Sequence, residues 1–131
     1  MKILFTGGGT GGHVFPIVAI VREIRRIYPK KPASQQGGDL EFYYLGPKDD
    51  FSQILLSQED FVIKTIISGK IRRYFAWQNF VDILFKIPLG VIQSFFMLLM
   101  IKPDLVFSKG GSGSIAVTYS ARFLKTCHFN F

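Results

Sequence analysis

The chain has 131 residues, 48% of them hydrophobic and 15% aromatic, with 16 basic against 9 acidic side chains and a net charge of +7. That is one domain's length, large enough for a packed core and too apolar for a disordered chain. The charge favours anionic partners such as phosphates, acidic lipid headgroups or nucleic acid, without choosing among them. The single cysteine, Cys127, excludes an internal disulfide, suits a reducing cytoplasm and reads as a small buried or incidental residue.

The chain opens Met1-Lys2-Ile3-Leu4-Phe5 with no secretory signal pattern. Lys2 to Thr6 is a short apolar run that stops at glycines, as a buried parallel strand does. Ile17, Ile20, Val21, Ile24 and Ile27 then follow helical spacing, with Arg22, Arg25 and Arg26 mainly on the other side and Pro16 suited to the first turn. Residues 29–38 are polar and glycine-containing, hence a surface loop. Leu40 to Leu45 predicts a second strand, Asp50 to Gln58 a short helix, and Phe61 to Ile67 a third strand. Trp77 to Met100 predicts a helix broken near Pro88. Asp104 to Ser108 predicts a fourth strand and Ser114 to Lys125 a last helix. Alternating strands and helices call for an α/β fold, a Rossmann-like parallel sheet with helices on both faces.

The stretch from Phe80 to Ile101 is greasy enough to resemble a membrane span. Asp82, Lys86, Gln93 and Pro88-Leu89-Gly90 interrupt it, and the charge-free part after Lys86 is shorter than the roughly 20 residues a span needs. A buried or interfacial helix pair is expected instead. Just before it, Lys70, Arg72 and Arg73 precede Tyr74, Phe75 and Trp77, a pairing of cations with aromatics that suits an anionic membrane surface. The alternative stays open that Trp77, Phe80, Leu84 and Phe95 are core and the arginines simply solvated. Nucleic-acid binding is not expected, because the basic residues are scattered and no recognised module is present.

The strongest motif is Gly7-Gly8-Gly9-Thr10-Gly11-Gly12-His13, between the first strand and the first helix. Glycines there let the backbone approach a ligand, and the helix N-terminus offers free N–H groups and partial positive charge, so phosphate or pyrophosphate is the natural guest. A P-loop would need Lys and Ser or Thr where His13-Val14 stand. The dinucleotide fingerprint matches as Gly7-x-Gly9-x-x-Gly12. However, the second strand ends Tyr44-Leu45-Gly46 without the acid that would hold a ribose, which weakens a nicotinamide-dependent oxidoreductase. A second loop, Lys109-Gly110-Gly111-Ser112-Gly113-Ser114, also links a strand to a helix. Two such loops at the carboxyl ends of parallel strands point to a shared crevice. For the second loop, an ordinary turn capped by Ser112 or Ser114 stays open beside direct ligand contact.

Gly8-Gly9-Thr10-Gly11-Gly12-His13-Val14-Phe15-Pro16 resembles the first glycine-rich motif of the MurG family of glycosyltransferases. Lys102-Pro103-Asp104-Leu105-Val106-Phe107-Ser108-Lys109-Gly110-Gly111 is similar to the stretch leading into that family's second motif, and Gly69-Lys70-Ile71-Arg72-Arg73 to its segment after the third strand. The resemblance implies the N-terminal, acceptor-binding half of a GT-B enzyme, filling residues 1–131, with the C-terminal donor domain absent and the isolated chain inactive. It implies inverting transfer of N-acetylglucosamine from UDP-N-acetylglucosamine to the 4-hydroxyl of a lipid-linked N-acetylmuramyl-pentapeptide pyrophosphate, without a cofactor or obligatory metal. It also implies peripheral attachment to the cytoplasmic face of the cell membrane.

Carried over by position, Gly8, Gly9, Thr10, Gly11 and Gly12, with Gly110, Gly111 and Ser112 from the second loop, would bind the acceptor pyrophosphate. His13 would stand beside it as base or phosphate ligand, with capping of its own helix as the structural alternative. Ser112 and Ala116 depart from the pattern, standing where the family usually has an aromatic residue and a proline. His128 is not equated with the family's later His-Glu motif and is expected to be a stray terminal residue. A membrane-docking, acceptor-binding subunit of a split two-chain glycosyltransferase is the non-enzymatic alternative.

Overall fold

A computed structural model describes residues 1–7, 11–29, 38–67, 77, 80, 82–111 and 114–130. Five parallel strands form one sheet: β1 (Lys2–Thr6), β2 (Glu41–Gly46), β3 (Val62–Thr65), β4 (Leu105–Ser108) and β5 (Cys127–Asn130), in the spatial order β3-β2-β1-β4-β5. The chain winds outward from β1 in one direction to β3, then crosses back to β4 and β5. The point of reversal lies between β1 and β4, where Thr6 is in register with Ser108.

The four expected strands and the parallel α/β arrangement are present, with ends displaced by one or two residues. The end of the chain differs. His128, expected as a stray residue, lies inside β5 opposite Val106, because the free edge of β4 supplies the backbone partners its short segment needs.

Alternation along β1 divides the core. Ile3 and Phe5 face α1 (Gly11–Ile27) and α2 (Asp50–Ser57), packing with Val14, Ile17, Val21, Phe42, Leu56 and Phe61. Leu4 faces α3 (Ile87–Ile101) and α4 (Ile115–Phe123), packing with Leu45, Leu98, Val106 and Val117. Each fully buried Leu, Val or Phe in these layers contributes about 1.5–3 kcal/mol against leaving it in water.

Two helices depart from expectation in informative ways. α1 begins at Gly11, inside the glycine motif, so Pro16 lies beyond the first turn and not in it. Its missing N–H leaves the carbonyl of Gly12, four residues back, without its helical partner. The long apolar helix, expected to break near Pro88, instead stays helical through it from Asp82 to Ile101. A π-helical segment, Asp82–Lys86, runs into α3, where Pro88 occupies the first turn. Gly90, Ser94, Leu98 and Ile101 form the single buried stripe of α3.

The residues Leu84–Ile101 have a mean hydropathy of 1.9 and are only 22% buried, so length and composition alone would allow a span. The buried stripe seats α3 on the sheet as the crossover helix between β3 and β4. Trp77, Phe80 and Leu84 are exposed, which overturns the core reading for them; Phe95 is half-buried, edge-on to Phe123 at 5.8 Å.

Candidate functional site

Both glycine loops leave the sheet at the reversal point. The backbone N–H of Lys109 donates to the carbonyl of Thr6 (3.0 Å), so the roots of the two loops are hydrogen-bonded side by side. Both roots lie at the carboxyl ends of neighbouring strands, the position where open parallel sheets bind ligands. Thr6 Oγ1 is buried here and is the one such side-chain atom among the described residues without a hydrogen-bond partner.

In the first loop, Gly8, Gly9 and Thr10 lie outside the described residues. Gly11 and Gly12 form the first turn of α1, whose N–H groups have no carbonyl ahead of them. A side chain at Gly12 would meet nothing within 4 Å. The side chain of His13, half-buried in the same turn, makes no hydrogen bond to any described residue.

Sequence reasoning missed Tyr44. It shares a face of β2 with Phe42, is 3% exposed, and brings its phenol oxygen to 3.8 Å from where a Gly7 Cβ would stand. Burial, then the charge of Asp49, pushes its pKa up to about 12, so the group beside the loop is a neutral donor throughout the physiological range. The period-2 pattern of β2 was the available signal.

The second loop begins with two left-handed residues. Gly110 and Gly111 have φ of 86° and 96°, left-handed values that favour glycine. Ser108 Oγ accepts from Gly110 N (3.3 Å) and from Thr118 Oγ1 (3.3 Å), and Ser114 Oγ donates to the carbonyl of Gly111 (2.9 Å). These residues, with Ile115 and Tyr119, line a crevice of about 210 Å³. Ser112 lies outside the described residues, and Ser114 makes no side-chain cap to α4.

The acids nearest a ribose position are otherwise engaged. Asp49 caps α2 by accepting from Ser52 N (3.1 Å) and the Ser52 hydroxyl, and Asp50 sits in the first turn of that helix. Nothing at the end of β2 replaces the acid of a dinucleotide site, which counts against the oxidoreductase alternative. Among the described residues, no group of three or more His, Cys, Asp or Glu side chains could hold a metal ion.

Of the surface residues expected to meet a membrane, Arg72, Arg73, Tyr74 and Phe75 lie outside the described residues. Trp77 is described, 86% exposed and edge-on to Phe80 at 6.4 Å.

The model of the glycosyltransferase family 28 N-terminal domain matches residues 3–129. The chain belongs to that family. Two relatives bear the name UDP-N-acetylglucosamine--N-acetylmuramyl-(pentapeptide) pyrophosphoryl-undecaprenol N-acetylglucosamine transferase. The protein from Borrelia turicatae is 39% identical over 95% of this chain and 32% of its own length. The one from Legionella pneumophila strain Corby is 40% identical over 92% of this chain and 30% of its own. This chain therefore spans about a third of the length of these relatives.

Among solved structures, MurG of Acinetobacter baumannii superposes with a TM-score of 0.69 at 22% identity, covering 98% of this chain and 33% of its own. The UDP-GlcNAc 2-epimerase of Neisseria meningitidis, bound to UDP-GlcNAc, superposes at 0.62 with 15% identity, over 100% of this chain and 32% of its own. At those identities the likeness establishes the Rossmann-like fold shared with the family 28 domain and no more.

Proposed function

We propose that this chain is the acceptor-binding part of an inverting N-acetylglucosaminyltransferase of peptidoglycan synthesis. The observation that carries this reading is the match to family 28 over residues 3–129, on a fold that sets two glycine loops together at one sheet reversal. The names of the relatives supply the chemistry: a pyrophosphoryl-undecaprenol acceptor and a UDP-sugar donor. Gly8, Gly9, Thr10, Gly11 and Gly12 cradle the acceptor pyrophosphate against the N-terminus of α1, and Gly110, Gly111 and Ser112 close on it from β4.

The acceptor hydroxyl oxygen bonds to the anomeric carbon as the bond from that carbon to UDP breaks, which inverts the centre. His13 takes the hydroxyl proton as base or holds a phosphate oxygen, roles that its half-buried imidazole permits. A donor domain, outside this chain, binds the UDP-sugar and receives the departing charge.

The test is acceptor binding by the full-length enzyme carrying Gly11→Val. A β-branched side chain in the first turn fills phosphate space and stiffens the loop, so acceptor affinity should fall by about tenfold or more while circular dichroism stays unchanged. Unchanged affinity in a folded variant would remove the pyrophosphate from this loop.

The same reading places the protein peripherally at the cytoplasmic face of the membrane. The outward side of α3 carries exposed Leu89, Ile92, Phe96, Leu99 and Met100, an apolar surface that water alone does not explain. With Lys70, Arg72 and Arg73 nearby in sequence, binding to anionic vesicles should have two parts. Arg72→Gln with Arg73→Gln should weaken it about tenfold at low salt, each basic residue contributing about 1 kcal/mol. An Ile92→Gln, Phe96→Gln pair should remove the part that survives high salt. Cosedimentation that is equal for wild type and both pairs would exclude this face.

A further inference from the structure

We propose that the Tyr44 phenol binds the ligand of the first glycine loop, donating a hydrogen bond to a phosphate oxygen at the N-terminus of α1. The inference rests on the proposed function and deepens it, adding one side-chain donor to a cradle of backbone N–H groups.

Alternation along β2 sets Tyr44 on the face of Phe42, with Phe5, its register partner on β1, on the same side. The ring then leans along the strand over Gly46. A Cβ built there would stand 2.8 Å from the phenol oxygen and 2.9 Å from Cε1 and Cζ. Gly46 is not left-handed, so glycine serves here to make room for the ring tip. That room brings the phenol oxygen to the root of the first loop. It lies 3.8 Å from the point where a Gly7 Cβ would be, and His13 Cβ lies 3.5 Å from the same point. The phenol and the candidate base thus flank one position at the start of the loop.

The phenol has no acceptor there. Tyr44 is 3% exposed, yet its oxygen makes no hydrogen bond to any described residue, where buried tyrosines usually find a partner. Nor is the oxygen sealed in. Among the described residues, Thr6 Oγ1 is the one enclosed side-chain atom without a partner, so the Tyr44 oxygen keeps contact with open space. Asp49 acts on it through charge alone, since that carboxylate is occupied by Ser52 N (3.1 Å) and the Ser52 hydroxyl.

The surroundings choose the kind of acceptor. The N-terminus of α1 carries partial positive charge and free N–H groups, and the net charge of the chain is +7. A phosphate oxygen can accept from the phenol and from those N–H groups at once. Bonds to an ionised acceptor are roughly twice as strong as neutral ones, so a carbonyl or hydroxyl would gain less. The phenol stays protonated, its pKa pushed up to about 12, and so donates without repelling an anion.

The test titrates this chain calorimetrically with inorganic pyrophosphate. Tyr44→Phe removes one oxygen and keeps the ring, and the lost hydroxyl makes no bond in the unliganded fold. Its urea midpoint should match or exceed that of wild type, while affinity falls about tenfold or more. Gly46→Ala should push the ring tip aside and weaken binding by wild type, yet weaken Tyr44→Phe little further. Equal affinity of wild type and Tyr44→Phe would overturn the donor and leave the proposed function standing. Joint loss of midpoint and affinity, or additive losses with Gly46→Ala, would make Tyr44 a packing residue and overturn the donor too. Failure of wild type to bind pyrophosphate would sink the proposed function and the donor with it.

Discussion

Replacing Gly90 with alanine should destabilise the fold by about 2–3 kcal/mol, in the upper part of the overpacking range. The sign is opposite to that of an ordinary helical glycine, where alanine gains up to about 1 kcal/mol from restricted backbone freedom. A Cβ built on Gly90 would lie 2.3 Å from the carbonyl oxygen of Ile67, with Ala116 Cβ at 3.6 Å on its other side. The first obstacle is backbone and cannot rotate aside. It is also tethered, since Gln93 Oε1 accepts from Ile67 N (2.9 Å). Relief requires α3 to move outward, which would loosen Leu98 and Ile101 from the sheet. Urea unfolding should show a lower midpoint with an unchanged slope. Gly12→Ala is the control: its side chain would enter open space, so stability should stay within about 0.5 kcal/mol. A Gly90→Ala protein as stable as wild type would mean that α3 does not pack this closely.

The strands and both glycine loops were legible because each pairs a local signal with a fixed role. Lys2 to Thr6 is a continuous apolar run stopped by glycine, and a strand buried on both faces has no other pattern. What escaped depends on partners distant in sequence. Cys127–Asn130 is short and mixed, and becomes β5 only because β4 presents an unpaired edge. The start of α1 was hidden because Gly11 and Gly12 carry none of the usual capping side chains, so Pro16 looked like the first turn. Apolarity told that α3 buries something but not which side. Only packing shows that Gly90, Ser94, Leu98 and Ile101 face inward while Leu89, Ile92 and Phe96 face out. The sequence places the arginines of α1 opposite its apolar stripe, but no periodicity connects Arg25 to an acid 34 residues away.

That acid is Glu59, and Glu59→Gln should cost about 2 kcal/mol. Glu59 is 8% exposed in the turn after α2, where Oε1 accepts from Arg22 Nε (2.7 Å) and Oε2 from Arg25 NH1 (3.3 Å), while its carbonyl accepts from Arg25 NH2. Arg25 also lies over the Phe42 ring at 5.3 Å, so the pair clamps α1 to the segment leading into β3. An amide keeps the shape but loses the charge and turns an N–H₂ toward a guanidinium, leaving donors facing donors. Hydrogen bonds to charged groups contribute about 1.5–3 kcal/mol. The penalty falls short of a fully buried pair because the Arg22 side chain is 66% exposed and can regain water. Arg22→Gln alone should therefore cost no more than about 0.5 kcal/mol. Arg25, whose side chain is 28% exposed, should show the larger coupling to Glu59 in a double-mutant cycle, at least about 1 kcal/mol and little changed by salt. A Glu59→Gln protein of wild-type stability, or a coupling to Arg25 that vanishes in salt, would reduce the cluster to an ordinary surface ion pair.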